Sequence, residues 1–361
     1  MLRNYVNACW PLAAIGTFLM CLAAASPTVA RAEGGMGKGP AQYLKKADAW
    51  FAGDEAKRVA TNILSHQADA GGWPKNTDTT QLFKGDRKTL QPTFDNDATT
   101  DEIRYLAHMY KATKDETYSK AALKGIDYIL KAQYPTGGWP QFYPPPKSYH
   151  RHITFNDHAM IRVMSFLRES YSQELYGFAS PERNKQARLA FDRGVECILK
   201  CQIKVKDKLT AWCAQHDEID YSPRLGRPYE LPSLSGAESV KIAELLMSLE
   251  KPRPEIVKAV DAAAAWFDSA KLKGIRQITE KDPKAPKGTN RVVVKDPNAP
   301  PMWARFYEIN TNRPIFVDRD GIAKYELADI GYERRNGYAW LGYWPQKMLE
   351  QEYPAWKKKT K

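Results

Sequence analysis

Acidic and amide side chains recur at matched places in this chain, and an arginine lies in a third, related place. Asp95 and Asn96 occur in one loop, Asn156 and Asp157 in a second, and Arg227 in a third. Carboxylates grouped in this way serve as acid and base in glycoside hydrolysis when they face each other across a cleft. The plainer interpretation is that Asp95 and Asn96 cap helices, since both residue types are favoured at helix N-termini.

A repeated block explains why these loops can meet. "ILSHQADAGGWPKN" begins at Ile63, "ILKAQYPTGGWPQF" at Ile129 and a degenerate third copy at Ile198. Trp73 and Trp139 are 66 residues apart, and Trp212 follows 73 residues later. A period of this length, with two helices in each unit, predicts helical hairpins that stack into a solenoid or close into an α/α toroid. Loops that join the first helix to the second then share one rim.

Apolar residues spaced near 3.6 mark both helices of each unit, and we expect these stripes to form the core. Their position in the repeat favours packing over sugar binding for Trp73 and Trp139. From residue 272 the chain is rich in Pro, Lys and turn residues, with a β-branched run at 292–294. We therefore predict repeated hairpins over 33–271 and an irregular lobe with short strands over 272–361. The lysine-rich tail after Trp356 is predicted to be solvated and frayed.

The first 32 residues indicate a secretory signal peptide. Arg3 precedes an apolar stretch, and Ala30-Arg31-Ala32 fits a small-x-small cleavage site. A membrane anchor is the alternative, but the stretch is short and contains Pro11. We expect a secreted or periplasmic protein that is free of the membrane once the signal is removed.

The formal net charge of +12 favours a polyanionic partner. Because the basic residues are dispersed and no nucleic-acid motif occurs, an acidic polysaccharide is a better candidate than nucleic acid. The mature chain keeps three cysteines, Cys197, Cys201 and Cys213, so at most one disulfide can form. Their spacing matches no known zinc motif, and we interpret them as core residues.

Several motifs together resemble one enzyme family. They are "GGWPKN", "DNDATTDEI", "GGWPQFYP", "ITFNDHAM", "CAQHD", "RPYELPSLSGAES" and "RFYEINTNRPIFVDRDG". In this order they are similar to the family 10 polysaccharide lyases, the calcium-dependent pectate lyases. The resemblance extends from about Trp50 to Trp344, which is nearly all of the mature chain.

The resemblance implies cleavage of polygalacturonate by β-elimination. It implies that Arg227 is the catalytic base and that Asp95, Asn96 and Asp157 bind calcium, for which hard oxygen ligands are suited. Arg305 and Arg319 match positions that bind substrate uronates, where a guanidinium forms a two-pronged contact with a carboxylate. Arg313 and Lys75 are weaker candidates for substrate binding, and the protein is expected to be a monomer.

Two points stand against a simple transfer of these roles. An arginine has a pKa above about 12, so a base at Arg227 requires a neutral guanidine. Val317-Asp318 also replaces the Ser-Gly that often precedes the family's Arg-Asp-Gly, which places a carboxylate beside Arg319.

Two other functions remain open at this stage. One is a toroid glycoside hydrolase that takes its carboxylate pair from Asp97, Asp101, Asp157, Asp217 and Glu238. The other is a polysaccharide-binding protein without activity, against which the intact Arg227 and acidic loops argue.

Overall fold

The structure is a computed structural model that describes residues 39–360. Within this range, amphipathic segments of the sequence form nine α-helices. The predicted signal peptide lies outside these residues. The helices are α1 (Asp54–Ser65), α2 (Thr100–Thr113), α3 (Glu116–Ala132), α4 (Ala159–Ser172), α5 (Pro181–Cys201), α6 (Glu238–Met247), α7 (Pro254–Ser269), α8 (Tyr332–Gly337) and α9 (Tyr353–Thr360). Local signals define several starts: Ser180 caps α5 by accepting the Arg183 N–H, and Pro181 and Pro254 begin α5 and α7.

The first seven helices form two rows. The even-numbered helices contact one another in the order α2, α4, α6, and α3, α5 and α7 likewise contact in order. Inner helices are buried on more than one face, as in α4, where Met160, Ile161 and Val163 are all buried. Outer helices bury one stripe, such as Ala56, Val59 and Ile63 in α1. Helices make up 47% of the protein and the strands are short, which confirms the mainly α fold of an α/α toroid.

Tryptophan and glutamine side chains tie each unit together. Trp73, Trp139 and Trp212 are fully buried, and their indole N–H groups donate to the carbonyls of Ile63, Ile129 and Ile198. These contacts confirm that Trp73 and Trp139 pack in the core instead of binding sugar. Gln67, Gln133 and Gln202 repeat as well: each amide donates to its own loop and to the next outer helix.

A fourth unit follows the third. Its first helix, α7, lies within the predicted hairpin range 33–271, but its tryptophan and rim segment were not predicted. The Trp303 indole donates to the Phe267 carbonyl in α7, as the earlier tryptophans do to their own first helices. A hairpin of two seven-residue strands, β6 (Ile275–Lys281) and β7 (Thr289–Lys295), is inserted between α7 and Trp303. This insertion lengthens the spacing from Trp212 to 91 residues and hides the repeat in the sequence.

Short antiparallel strand pairs join the units along the rim. Thr93 pairs with Phe142, Thr154 with Gln215, and Ser235 with Phe306, so each unit is joined to the next at the same register. The strands are β1 (Ile153–Thr154), β2 (Lys204–Val205), β3 (Lys208–Leu209), β4 (Gln215–His216), β5 (Leu234–Ser235), β6 (Ile275–Lys281), β7 (Thr289–Lys295), β8 (Trp303–Ala304), β9 (Phe306–Tyr307), β10 (Phe316–Val317), β11 (Ala323–Lys324) and β12 (Leu341–Gly342). They pair as β1–β4, β2–β3, β5–β9, β6–β7, β8–β12 and β10–β11.

The C-terminal tail is helical to Thr360, so the prediction that it is frayed is wrong, although Lys358 and Lys359 are exposed as predicted. Trp356 is buried, and Lys357 pairs with Asp261 of α7 at 2.8 Å. Apolar burial and this ion pair hold α9 against the outer row.

Cys197, Cys201 and Cys213 are buried free thiols, with the first two sulfurs 4.0 Å apart. No helix within 39–360 has the length and apolar character that a membrane crossing requires.

Candidate active site

Two equivalent turns bring acidic side chains to the rim. The turns Asp95–Asp97 and Asn156–His158 precede α2 and α4 and contact each other. Asn96 and Asp157 hold matching positive φ values of 53° and 49°, which are uncommon for residues other than glycine and often mark functional sites. Neither α2 nor α4 has a side-chain cap. The helix-capping interpretation of Asp95 and Asn96 is therefore wrong.

Asp95 is buried and bound from two sides. Its Oδ2 accepts a hydrogen bond from Lys75 Nζ at 2.5 Å and another from Gln141 Nε2 at 2.6 Å. Its Oδ1 and the Gln141 Oε1 are buried and have no hydrogen-bond partner. Asn96 is exposed beside Asn76, its amide nitrogen 3.4 Å from the Asn76 Oδ1. Hard oxygen atoms thus gather at the first turn.

Asp157 lies beside a buried ion pair. Arg305 pairs with Glu238, and the same guanidinium lies 3.3 Å from Asp157 Oδ1 and from Asn156 Oδ1. Burial opposes ionisation of Asp157, but Arg305 and then Arg227 outweigh it and lower the pKa of Asp157. Asp157 is consequently a carboxylate at neutral pH.

The basic and amide partners of these turns share one place in the repeat. Lys75, Gln141 and Arg305 each lie two residues after the tryptophan of their unit, and each contacts the acidic turn. Our sequence reasoning missed Gln141, although its place after Trp139 matches that of Lys75 after Trp73. The repeat thus brings a hydrogen-bond donor from the same position to an acidic turn in three of the four units.

Arg227 lies in a tight turn on the same rim. The Glu230 N–H donates to the Arg227 carbonyl at 2.7 Å, and Pro228 occupies the turn's second position, where proline is favoured. The guanidinium pairs with Glu230 and lies 5.1 Å from the ring centre of Tyr229. Burial disfavours its charged form, but the Glu230 carboxylate more than compensates and raises the pKa of Arg227 above its usual value. In this structure Arg227 is a guanidinium cation.

Arg319 lies at the edge of this group, and Arg313 contacts a different ring, that of Tyr325. The Arg319 guanidinium is 5.9 Å from the ring centre of Tyr229 and pairs with Glu333 at 3.1 Å. Asp318, the departure from the family pattern, accepts hydrogen bonds from the Gly331 and Arg319 N–H groups. Its carboxylate thus binds backbone, and the Arg319 side chain binds elsewhere. Arg313 stacks on Tyr325 at 3.5 Å.

The residues at the two turns fit a calcium ion chemically. The unpartnered Asp95 Oδ1, the Asn96 amide and the Asp157 carboxylate offer the oxygen ligands that this ion prefers. A different group, His152, Asp217 and Glu218, places potential ligand atoms within 4.8 Å of one another. Every carboxylate oxygen of this group is already bound, by Arg224, Arg151, His152 or backbone N–H groups, whereas Asp95 Oδ1 is unpartnered, so the group suits a cation less well.

The carboxylates proposed for a hydrolase are also paired with arginines. Asp97 binds Arg162 at 2.9 Å, Asp101 binds Arg104 at 2.8 Å, and Glu238 binds Arg305. An arginine that binds a carboxylate occupies the oxygen that would carry or accept the proton in general acid–base catalysis. At Asp101, burial still raises the pKa to about 6 despite Arg104.

Known proteins share this architecture. The model of the pectic acid lyase family matches residues 67–349. A solved family 10 polysaccharide lyase from Cellvibrio cellulosa is 35% identical, with a TM-score of 0.74, and the match covers 87% of this chain and 95% of that one. A point mutant of a family 10 polysaccharide lyase from the same organism, solved in complex with trigalacturonic acid, matches with the same identity and TM-score and is covered to 96%. No curated protein sequence matches the chain.

Proposed function

Because this chain belongs to the pectic acid lyase family and is a polysaccharide lyase, we propose that it cleaves de-esterified polygalacturonate by β-elimination, with calcium and with Arg227 as the base. The related lyase solved with trigalacturonic acid supports an acidic pectin substrate. The observation that carries the proposal is the contact between the two acidic turns, with Arg305 bound at the second.

The reaction has two chemical requirements. The proton on the carbon beside the uronate carboxylate must move to a base, and negative charge that develops on the carboxylate must be stabilised. The electron pair of the broken C–H bond forms a carbon–carbon double bond, while the glycosidic oxygen leaves and takes a proton from solvent. A hydrolase would add water and leave no double bond.

Charged side chains at the rim meet the second requirement. Asp95, Asn96 and Asp157 would hold calcium, which supplies positive charge to a substrate carboxylate when it is bound. Lys75, Arg305 and Arg319 would bind further uronates, since each cation lies on the same rim. Arg305 also keeps an unpartnered buried N–H at Nε.

Arg227 would meet the first requirement. Its side chain is 34% exposed, whereas its partner Glu230 is 1% exposed, so the guanidinium faces the open side of the rim. A neutral guanidine there would accept the proton and become a guanidinium. The resting ion pair with Glu230 opposes that neutral form, so alkaline conditions should favour turnover.

Two arginine variants test the base. Arg227→Ala should lower turnover by several orders of magnitude with little change in oligogalacturonate affinity, because the lost interaction belongs to the transition state. Arg227→Lys keeps a positive charge but places a shorter side chain differently, so turnover should stay low if Arg227 is the base, whereas a role in binding alone would be partly retained. Turnover is measured from ultraviolet-absorbing unsaturated ends, and affinity by calorimetry. Unchanged turnover in Arg227→Ala would end this assignment.

Calcium is tested separately. Asp157→Ala and chelation of the wild type should each abolish or greatly weaken cleavage, while circular dichroism shows the helices intact. Full activity of the variant in chelator would remove calcium from the mechanism. We also propose that the protein is exported and acts as a soluble monomer.

A further inference from the structure

The carboxylate of Glu230 is buried directly behind Arg227. It accepts hydrogen bonds from the Arg227 backbone N–H at 3.0 Å, from the Arg227 guanidinium, and from the Tyr338 hydroxyl at 2.7 Å. Gly226 makes this fit possible, because a Cβ atom there would lie 2.8 Å from Glu230 Oε2 and 2.2 Å from Gln215 Oε1. Three donors on one buried carboxylate define a built site and not a chance surface contact.

Two tyrosine rings flank the guanidinium that Glu230 holds. The centre of Tyr229 lies 5.1 Å from the Arg227 guanidinium carbon and that of Tyr338 lies 5.6 Å away. Tyr338 also lies 4.8 Å from the Arg305 guanidinium carbon. The same tyrosine therefore contacts Arg227 and the arginine that binds the second acidic turn.

Other charges face Arg227 from a greater distance. Arg334 and Arg319 approach Tyr229 from the C-terminal lobe. Asp157, Tyr149 and His150 face it across the rim, where its charge affects their ionisation. Among these groups in the described chain, Glu230 alone forms an ion pair with the guanidinium.

We propose that Glu230 is a positioning residue that fixes the Arg227 guanidinium toward the substrate and thereby sets the pH at which the enzyme works. This inference rests on the proposed role of Arg227 as the base. Tyr338 supports the carboxylate from behind, so that its position is fixed before substrate arrives.

The direction of the pH effect follows from charge. The negative Glu230 carboxylate attracts the protonated Arg227 guanidinium. This attraction is lost when Arg227 becomes neutral, so the carboxylate disfavours the neutral base. Glutamine at position 230 keeps hydrogen-bonding capacity and removes the charge. The pKa of Arg227 should then fall, and a larger fraction of the enzyme should carry a neutral base at a given pH.

The test is the pH–rate profile of the complete enzyme on polygalacturonate with calcium. In Glu230→Gln the rising alkaline limb of kcat should move at least one pH unit lower, and kcat at the optimum should fall about tenfold because the guanidinium is held less firmly. Glu230→Asp keeps the charge at a shorter reach, so its limb should stay in place while kcat falls. Neither variant should change KM more than about threefold.

A matched control is Glu196→Gln. Glu196 of α5 pairs with Arg253, the residue that precedes α7, and both side chains are about half exposed, so the same substitution there should leave the profile unchanged. Thermal unfolding identifies any variant that has lost the fold, and Tyr338→Phe, which removes one donor to Glu230, then provides a milder second test with a smaller loss of kcat.

Each outcome decides between the two proposals. A wild type that forms no unsaturated product contradicts the proposed function. A wild type that does so, with Glu230→Gln unchanged in both kcat and pH profile, contradicts the positioning role alone. A rise in KM with an unmoved profile would make Glu230 a support for substrate binding and overturn the inference.

Discussion

At the scale of single residues, the rim consists of acids that are already paired with the protein's own cations. Lys75 binds Asp95, Arg227 binds Glu230 and Arg305 binds Glu238. The cations expected to bind uronates thus hold carboxylates before substrate arrives. A uronate that reaches the rim either joins these ion pairs or replaces the protein's own carboxylate in them. Because the cations are already held in place, binding costs less side-chain entropy.

Glu102 is a buried acid of a different kind. It is 4% exposed on α2, accepts one hydrogen bond from Thr79 and has no partner at Oε2. Burial, and then Asp101, raise the pKa of Glu102 from 4.5 to about 8. The folded protein therefore holds a proton that the unfolded chain has lost at neutral pH. This contribution to stability is complete below about pH 4.5 and is lost as the pH rises to about 8.

Substitution of Glu102 by Gln should remove the loss of stability that the wild type shows as the pH rises. At pH 9 the free energy of unfolding of Glu102→Gln, measured by urea unfolding, should exceed that of the wild type by up to a few kcal/mol. At pH 4.5 the two proteins should have similar free energies of unfolding. The exposed Glu116, on α3, provides Glu116→Gln as a control with little change at either pH. An equal shift of Glu102→Gln at both pH values would contradict the burial argument.

At the scale of elements, periodicity predicted most of the fold and missed part of the site. Apolar spacing identified both helices of the first three units, and the glycine–tryptophan blocks placed the acidic turns on one rim. The tryptophan of the fourth unit was missed because the inserted β6–β7 hairpin hides Trp303 from the repeat. Glu230 and Tyr338 were missed because 108 residues separate them and only folding brings them together.

The structure gives the positions of the predicted site residues, and their roles in binding calcium or substrate follow from the tests described above. The structure brings Lys75, Asp95, Asp157 and Arg305 to the two turns, and Arg227 to the same rim. The described side-chain contact of Arg313 is with Tyr325 and not with either turn. Which of these residues bind calcium or substrate stays a prediction.

The loop glycines should be essential to how units dock. Gly137 has a φ of 94°, and a Cβ atom there would lie 2.2 Å from the Arg193 carbonyl oxygen of α5. Gly137→Ala should therefore lower the free energy of unfolding by about 2–4 kcal/mol, from backbone strain and from overlap. Urea unfolding measures this loss.

Gly274 separates the two effects. It has a φ of 72°, but a Cβ atom there would meet nothing within 4 Å. Gly274→Ala should cost only the strain, about 1 kcal/mol. Equal losses for the two variants would show that close docking on α5 does not matter.

At the scale of the whole molecule, charge suits an acidic polymer. The chain carries a net charge of +12, and its predicted mature form keeps +10 after Arg3 and Arg31 are removed. Dispersed positive charge attracts a polyanion over distances that salt shortens, to about 8 Å at physiological ionic strength.

Substrate charge should accordingly control the rate. We expect KM for polygalacturonate to rise with added sodium chloride, and heavily methylated pectin to react far more slowly, since esterification removes the charges that cations bind. Initial rates on polygalacturonate and on methylated pectin, each over a salt series at fixed calcium, measure both effects. Equal rates on methylated substrate at every salt concentration would be incompatible with ionic recognition.

The inserted hairpin also shows where this architecture accepts new sequence. Its two strands leave and rejoin the toroid between α7 and β8, and its tip at 283–288 is largely exposed. Lengthening an exposed loop costs little chain entropy, and the tryptophan of the fourth unit still reaches its helix across the present insertion. A reporter peptide or a carbohydrate-binding module grafted at this tip would be carried by the enzyme without interrupting the helical rows. The hairpin is thus a natural attachment point for protein engineering.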